Sequence, residues 1–146
     1  MRGTFDHVGL NVADLPAMTE WYAAALGLEV DFRFELAHVP FLGVMLRHPD
    51  AGYRLELLHR PESRPGMQAS DPVDAALVRG FGHLALDVPD VDAAYAALRG
   101  AGASDRMSPR PSPEPGVRMA FVADPEGNLV ELLDRTAARA TDTRRQ

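Results

Sequence analysis

The sequence predicts an α+β fold built from two tandem βαβββ modules. Three observations carry this expectation. The first is an internal repeat: residues 7–15 read HVGLNVADL and residues 83–91 read HLALDVPDV, while 52–58 read GYRLELL and 127–133 read GNLVELL. The two matches recur at nearly the same offset, which marks a duplicated supersecondary unit. The second is periodicity that switches between strand-like alternation and helix-like runs. The third is the punctuation between them, with Asp before each helical run and Gly or Pro-Asp-Gly-type clusters at the turns.

Each element follows from local chemistry. Phe5–Val12 alternates, with His7, Gly9 and Asn11 on one face and Val8, Leu10 and Val12 on the other. Asp14 is a good N-cap for a helix running to Leu26, which Gly27 ends in the left-handed conformation. Leu28–Leu36, Val39–Leu46 and Tyr53–Leu58 read as strands, and His48–Gly52 as the turn between the last two. In the second half, Gly82–Val88 is a strand and Asp90 caps a helix to about Leu98, with Gly100 and Gly102 ending it. Residues 103–108 form a weak strand, Val117–Ala123 a clear one and Leu129–Asp134 the closing one, after the turn Asp124–Asn128. The proline-rich segment 108–116 reads as a loop, because proline cannot sit in a central strand.

Neither module is long enough to bury a core alone. The expected organisation is therefore one domain, 1–146, with module one at 4–59, a linker at 60–80, module two at 81–134 and a tail at 135–146. Within the linker, Asp71–Pro72 caps a short helical stretch, Val73–Arg79. The composition, 46% hydrophobic and 25% charged, is that of a globular chain. No apolar run is long enough to span a bilayer, and the N-terminus has no secretory pattern, so a cytoplasmic protein is expected, with no membrane partner. Fifteen basic against 21 acidic residues give a net charge of −6, which disfavours nucleic acid as a partner. The basic end of the chain (Arg139, Arg144, Arg145) reads as a solvated tail.

There is no cysteine, so any metal must be held by nitrogen and oxygen. The repeat preserves two histidines, His7 and His83, in the first strand of each module, and two glutamates, Glu56 and Glu131, in the last. Each glutamate lies between apolar residues, so it points to the face opposite the core. Two imidazoles and two carboxylates converging from pseudo-symmetric modules suit a divalent metal such as Zn, Ni, Co, Mn or Fe. His38, His48 and His59 have no repeat partner and are assigned no metal role. His48 is expected in a solvated turn, and His59 at the mouth of a cleft.

The segments FDHVGLNVADL, WYAAALGLEV, GYRLELL, FGHLALDVPDVDAAYAALRGAGA and MAFVADPEGNLVELL resemble the vicinal oxygen chelate superfamily, which includes glyoxalase I, extradiol dioxygenases and bleomycin-binding proteins. The resemblance covers residues 4 to about 134, and the turn DPEGN followed by LVELL is its most specific part. It implies paired βαβββ modules forming an open, curved mixed sheet around a cleft, and a homodimer. It places His7, Glu56, His83 and Glu131 on the four metal positions. A His, Glu, His, Glu set resembles the glyoxalase I-like branch, implying a lyase or isomerase that acts on a small carbonyl or thiol-adduct substrate by metal-assisted proton transfer. Glu131 is then the leading base and Glu56 the other candidate.

Departures from the family pattern narrow the substrate. Glutathione-using bacterial members carry an arginine four residues after the first histidine, where this chain has Asn11. An asparagine commonly stands four residues after the second ligand, where this chain has Arg60. Both positions are expected to meet the substrate. Epimerase-type members place an extra acid in the third strand, and 41–46 here contain none. Two alternatives remain at this point. One is a non-haem Fe(II) dioxygenase using His7, His83 and Glu131. The other is a non-catalytic binding or resistance protein for an antibiotic-like molecule, with Phe32, Phe34, Phe41, Met45, Met119 and Phe121 as apolar cleft candidates.

Overall fold

In the computed structural model, which describes residues 2–137 and 139, the chain divides into two units, Met1–Arg64 and Pro65–Gln146. The first contains β1 (Val8–Asn11), α1 (Leu15–Leu26), β2 (Glu29–Glu35), β3 (Leu42–Arg47) and β4 (Arg54–His59). Its sheet order is β1-β4-β3-β2, with β1 parallel to β4 and the other pairs antiparallel. Asp14 Oδ1 accepts the Ala17 N–H at 3.0 Å, and Gly27 closes α1 at φ 66°. The helix buries Leu15, Met18, Thr19 and Tyr22, the i, i+3, i+4, i+7 stripe of an amphipathic helix. That stripe packs on Val44 and Leu46 of β3 and on Leu55 and Leu57 of β4. One sheet face is thereby used for the core, and Glu56 lies on the other.

The second unit repeats the order after a short helix α2 (Pro72–Ala75). It contains β5 (Leu84–Asp87), α3 (Val91–Gly100), β6 (Ser104–Pro111), β7 (Arg118–Ala123) and β8 (Leu129–Asp134). The sheet order is β5-β8-β7-β6, with β5 parallel to β8. Asp90 Oδ1 accepts the Ala93 N–H at 3.0 Å, repeating the cap of α1. Val91 and Leu98 of α3 are buried, as are Ala120, Val122, Val130 and Leu132 of the sheet. Two four-stranded mixed sheets, each carrying a helix, make an α+β architecture, as the repeat implied.

Several boundaries differ from the sequence expectation. Residues 39–41 are not part of β3. Pro40 lies in a turn in which Leu36 N–H donates to Phe41 O and Phe41 N–H to Val39 O. The first strand of each unit is shorter than its alternation suggested, so His7 and His83 stand immediately before β1 and β5. The expected helix over 73–79 shortens to α2, although Leu77 and Val78 continue as hydrogen-bonded turns.

The largest correction is at 108–116, where the strand continues through Pro111 instead of giving way to a loop at 108. Ser112 N–H donates to Val117 O, so by alternation the nitrogen of Pro111, paired with Arg118, faces away from β7. The terminal strand of a sheet tolerates proline at such positions. Two register shifts against β7 accompany it.

The segment expected as a linker also packs on the second unit. Ala69 and Ala75, with Met67 beside them, cover Ala123 and Leu129. Arg139 in the tail pairs with Asp87 instead of standing free in solvent, while Arg144 and Arg145 lie outside the described residues.

Two of these features are open to direct test. Phe34 pairs with Gly43, and a Cβ on Gly43 would run into the Phe34 ring. Gly43→Ala should therefore cost about 1–3 kcal/mol in urea denaturation. The cost should shrink in a Phe34→Ala background, because the two residues couple directly. Separately, Arg118 Nε and Nη2 grip Asp92 at 2.5 and 2.7 Å, tying β7 to the start of α3 and holding the Asp92 carboxyl below its ordinary value of 3.8. A carboxyl depressed in the folded state adds stability above that value and loses it as pH falls through the lower folded one. The stability difference between the wild type and Arg118→Gln should thus be full at neutral pH and close as the solution is taken below pH 3.8.

Candidate metal centre

Strand alternation sets the geometry in each unit. Leu55 and Leu57 are buried against α1, so Glu56 between them projects from the opposite face of β4. Its cross-strand partners are Gly9 of β1 and Met45 of β3. A Cβ on Gly9 would lie 3.4 Å from Glu56 Oε2, so glycine leaves the carboxylate room. His7, two residues before Gly9, shares that face, and its Nε2 stands 3.4 Å from Glu56 Oε2.

The second unit reproduces this arrangement. Val130 and Leu132 are buried, and Glu131 projects between Ala85 and Phe121. His83 Nε2 stands 3.0 Å from Glu131 Oε2, and the His83 ring meets Phe121 edge-on at 5.2 Å. Both glutamates are the more buried members of their pairs, at 19% and 14% exposure against 35% and 39% for the histidines. Each unit thus offers one imidazole nitrogen and one carboxylate oxygen side by side on one face of its sheet. Such a pair can hold a shared proton or chelate half of a cation's shell. Among the described residues no group of three or more His, Asp or Glu side chains is gathered as a metal site.

The other expected site residues divide. Met45 is buried directly beside Glu56, and Phe121 is buried beside Glu131 and His83. Asn11 is exposed on β1, two residues beyond Gly9. Arg60 lies just past β4 and is exposed. Phe41 sits in the turn before β3, where it joins Phe34 and Phe32 in a tilted aromatic row with centroids 6.1 and 6.3 Å apart. Met119 is partly buried on β7, paired with Leu133. A cavity of about 390 Å³ lies beside Phe34, lined by Arg33, Glu35, Leu42 and Gly43 among others, and none of the four candidate ligands lines it.

Two of the remaining histidines hold backbone. His48 Nδ1 accepts from the N–H groups of Asp50 and Ala51, at 3.1 and 2.9 Å, and so builds its turn instead of simply being solvated there. His59 Nδ1 lies 3.1 Å from Val12 O.

Sequence reasoning missed Asp6 and Arg54. Asp6 Oδ1 is 2.5 Å from His7 Nδ1, and its other oxygen pairs with Arg54. The hydrogen bond to His7, then that to Arg54, holds the Asp6 carboxyl below its ordinary value. The available signal was an acid directly preceding the first histidine, with glycine at the equivalent place in the second half.

Comparison with known proteins agrees with this architecture. The model of the Glyoxalase/Bleomycin resistance protein/Dioxygenase superfamily matches residues 4–132. The chain is 26% identical over 136 residues to the "Probable lactoylglutathione lyase" of Vibrio cholerae, covering 92% of each chain. It is 27% identical over 137 residues to a protein of the same description from Synechocystis sp., covering 91% of this chain and 96% of that one. The solved structure of glyoxalase I from Leishmania major, described as trypanothione-dependent, shares the fold at a TM-score of 0.71 and 22% identity, covering 99% of this chain and 95% of that one. A repeated βαβββ unit, a His–Glu pair at the same place in each, and a family match over nearly the whole chain lead to one assignment: the chain belongs to the Glyoxalase/Bleomycin resistance protein/Dioxygenase superfamily.

Proposed function

We propose that His7, Glu56, His83 and Glu131 together bind one divalent metal, and that the protein is a glyoxalase I-like lyase or isomerase acting on a small carbonyl or thiol-adduct substrate. The observation that carries this is the matched pair of His–Glu contacts, 3.4 Å in one unit and 3.0 Å in the other, at repeat-equivalent positions. The donor chemistry fits: two neutral imidazoles and two carboxylates balance a divalent charge and leave coordination positions open. Zn, Ni, Co, Mn and Fe(II) all accept such a set. The names of the Vibrio and Synechocystis relatives support a lyase on thiol adducts.

When bound, the metal supplies Lewis-acid polarisation of a substrate carbonyl. The chain's own residues do the rest. Glu131 takes the proton from the substrate carbon on one carboxylate oxygen and returns it to the neighbouring carbon. Glu56 balances charge from the other unit and is the alternative base. Met45 and Phe121, buried beside the two glutamates, keep water away from the carboxylates. Asn11 and Arg60 meet the substrate's polar tail, and Phe41 and Met119 its apolar parts. The symmetry of the two pairs favours this reading over a dioxygenase in which Glu56 lies outside the ligand set, because Glu56 faces His7 just as Glu131 faces His83.

The working form is a homodimer in this proposal. β2 is the terminal strand of its sheet, and Val30 and Phe32, exposed at 42% and 46%, present an apolar strip beside that unpaired edge.

Glu131→Gln should lower turnover of hemithioacetals, formed from a 2-oxoaldehyde and a thiol, by about 10²- to 10⁴-fold. It should retain most of its metal, because three ligands remain. Steady-state kinetics with metal content measured for each variant is the check, and full activity of metal-loaded Glu131→Gln would sink the base assignment. Asn11→Ala and Arg60→Ala should raise KM far more than they lower kcat, as expected of groups that bind ground and transition states alike. Comparing glutathione with smaller thiols in the same assay shows which tail these residues read.

A further inference from the structure

We infer that Asp6, braced by Arg54, is a positioning residue that fixes the tautomer and orientation of His7. The inference rests on the proposal that His7 is a metal ligand. His7 Nδ1 is 2.5 Å from Asp6 Oδ1, too close for two lone pairs to face each other. The proton must therefore lie between them, on Nδ1 in the neutral ring. That leaves the Nε2 lone pair free on the side where Glu56 Oε2 stands, 3.4 Å away. A metal-binding imidazole needs one nitrogen bare and the other anchored, and an anchoring carboxylate both orients the ring and raises its donor strength.

Asp6 is itself held. Its second oxygen pairs with Arg54, the first residue of β4. Arg54 lies 4.0 Å from Asp31, and Asp31 lies 3.9 Å from Arg47, which bonds Glu29 at 2.8 Å. Arg54 and Arg47 are direct cross-strand partners. Like charges so placed repel unless acids flank them. Asp6, Asp31 and Glu29 supply those acids, and the result is a charge ladder running from His7 across β4, β3 and β2. Asp6 is fixed at one end of that ladder.

Among the described residues, the second unit lacks the acid and the arginine pair of this device. The residue before His83 is Gly82, and the rung matching Arg54–Arg47 is Leu129–Ala123, which packs on Ala69 and Ala75. Among the described residues, the anchoring is thus a property of the His7 half. It fits a division of labour in which the first half holds its imidazole fixed and the second half carries the proton-transferring Glu131.

The test is made on the full-length protein with Co(II) as the probe. In metal-free protein at about pH 8.5, two units above the ordinary imidazole value of about 6.5, long-range ¹H–¹⁵N spectra should show His7 mainly as the Nδ1–H tautomer, with the signal assigned by its loss in His7→Ala. Asp6→Ala should remove that preference and weaken Co(II) binding by roughly 10- to 100-fold. Asp6→Asn keeps an acceptor oxygen and should restore the tautomer and part of the affinity. Wild-type tautomer and affinity in Asp6→Ala would overturn the inference. So would weaker binding with the tautomer ratio unmoved, since the carboxylate would then act only as a charge. Failure of the wild type to bind Co(II), or unchanged binding in His7→Ala, would remove the metal reading itself and this inference with it. The metal-free spectra tell the two failures apart.

Discussion

Parallel pairing of the first and last strands is the constraint on which each unit depends. In both units the opening strand hydrogen-bonds the closing strand in parallel, which requires the helix and the intervening strands to carry the chain back first. That pairing sets Gly9 beside Glu56 and Ala85 beside Glu131. The histidine two residues earlier then shares the carboxylate's face. Because strand side chains alternate with a period of two, the leucines flanking each glutamate must enter the core if the glutamate is to leave it. Packing and chemistry are thus two faces of the same register. A one-residue slip would bury the carboxylates and expose the leucines together.

The repeat makes most of this legible in the sequence alone. Asp14 and Asp90 cap their helices as their positions imply, and the four ligand candidates lie on the expected faces. Three features are not legible there. The start of β3 is hidden because Val39, Pro40 and Phe41 continue an apolar pattern while proline forces a turn. The prolines of β6 resemble a loop because no sequence pattern tells which strand will be terminal in a sheet. The contact between Asp6 and Arg54 joins residues far apart in sequence, and in isolation each reads as an ordinary solvated charge. Local rules locate residues on a strand; they do not say which strand will lie alongside.

The two halves repeat in backbone but diverge in how the same rung of the sheet is stabilised. In the first, Arg54 and Arg47 are neutralised by acids on neighbouring strands. In the second, Leu129 and Ala123 are covered by Ala69 and Ala75 from the segment that joins the halves. One solution is electrostatic and exposed, hence sensitive to salt. The other is apolar and buried, hence indifferent to it. The joining segment therefore contributes to the second unit's packing as well as connecting the chain, in keeping with a second unit that begins at Pro65.

The prolines of β6 bear on how far such a sheet can grow. With the Pro111 nitrogen turned away from β7, the outer side of that strand lacks a donor that an incoming strand would need. The outer side of β2 holds no proline. Pro111 makes the outer side of β6 a poor template for a further strand, at no cost to the side paired with β7.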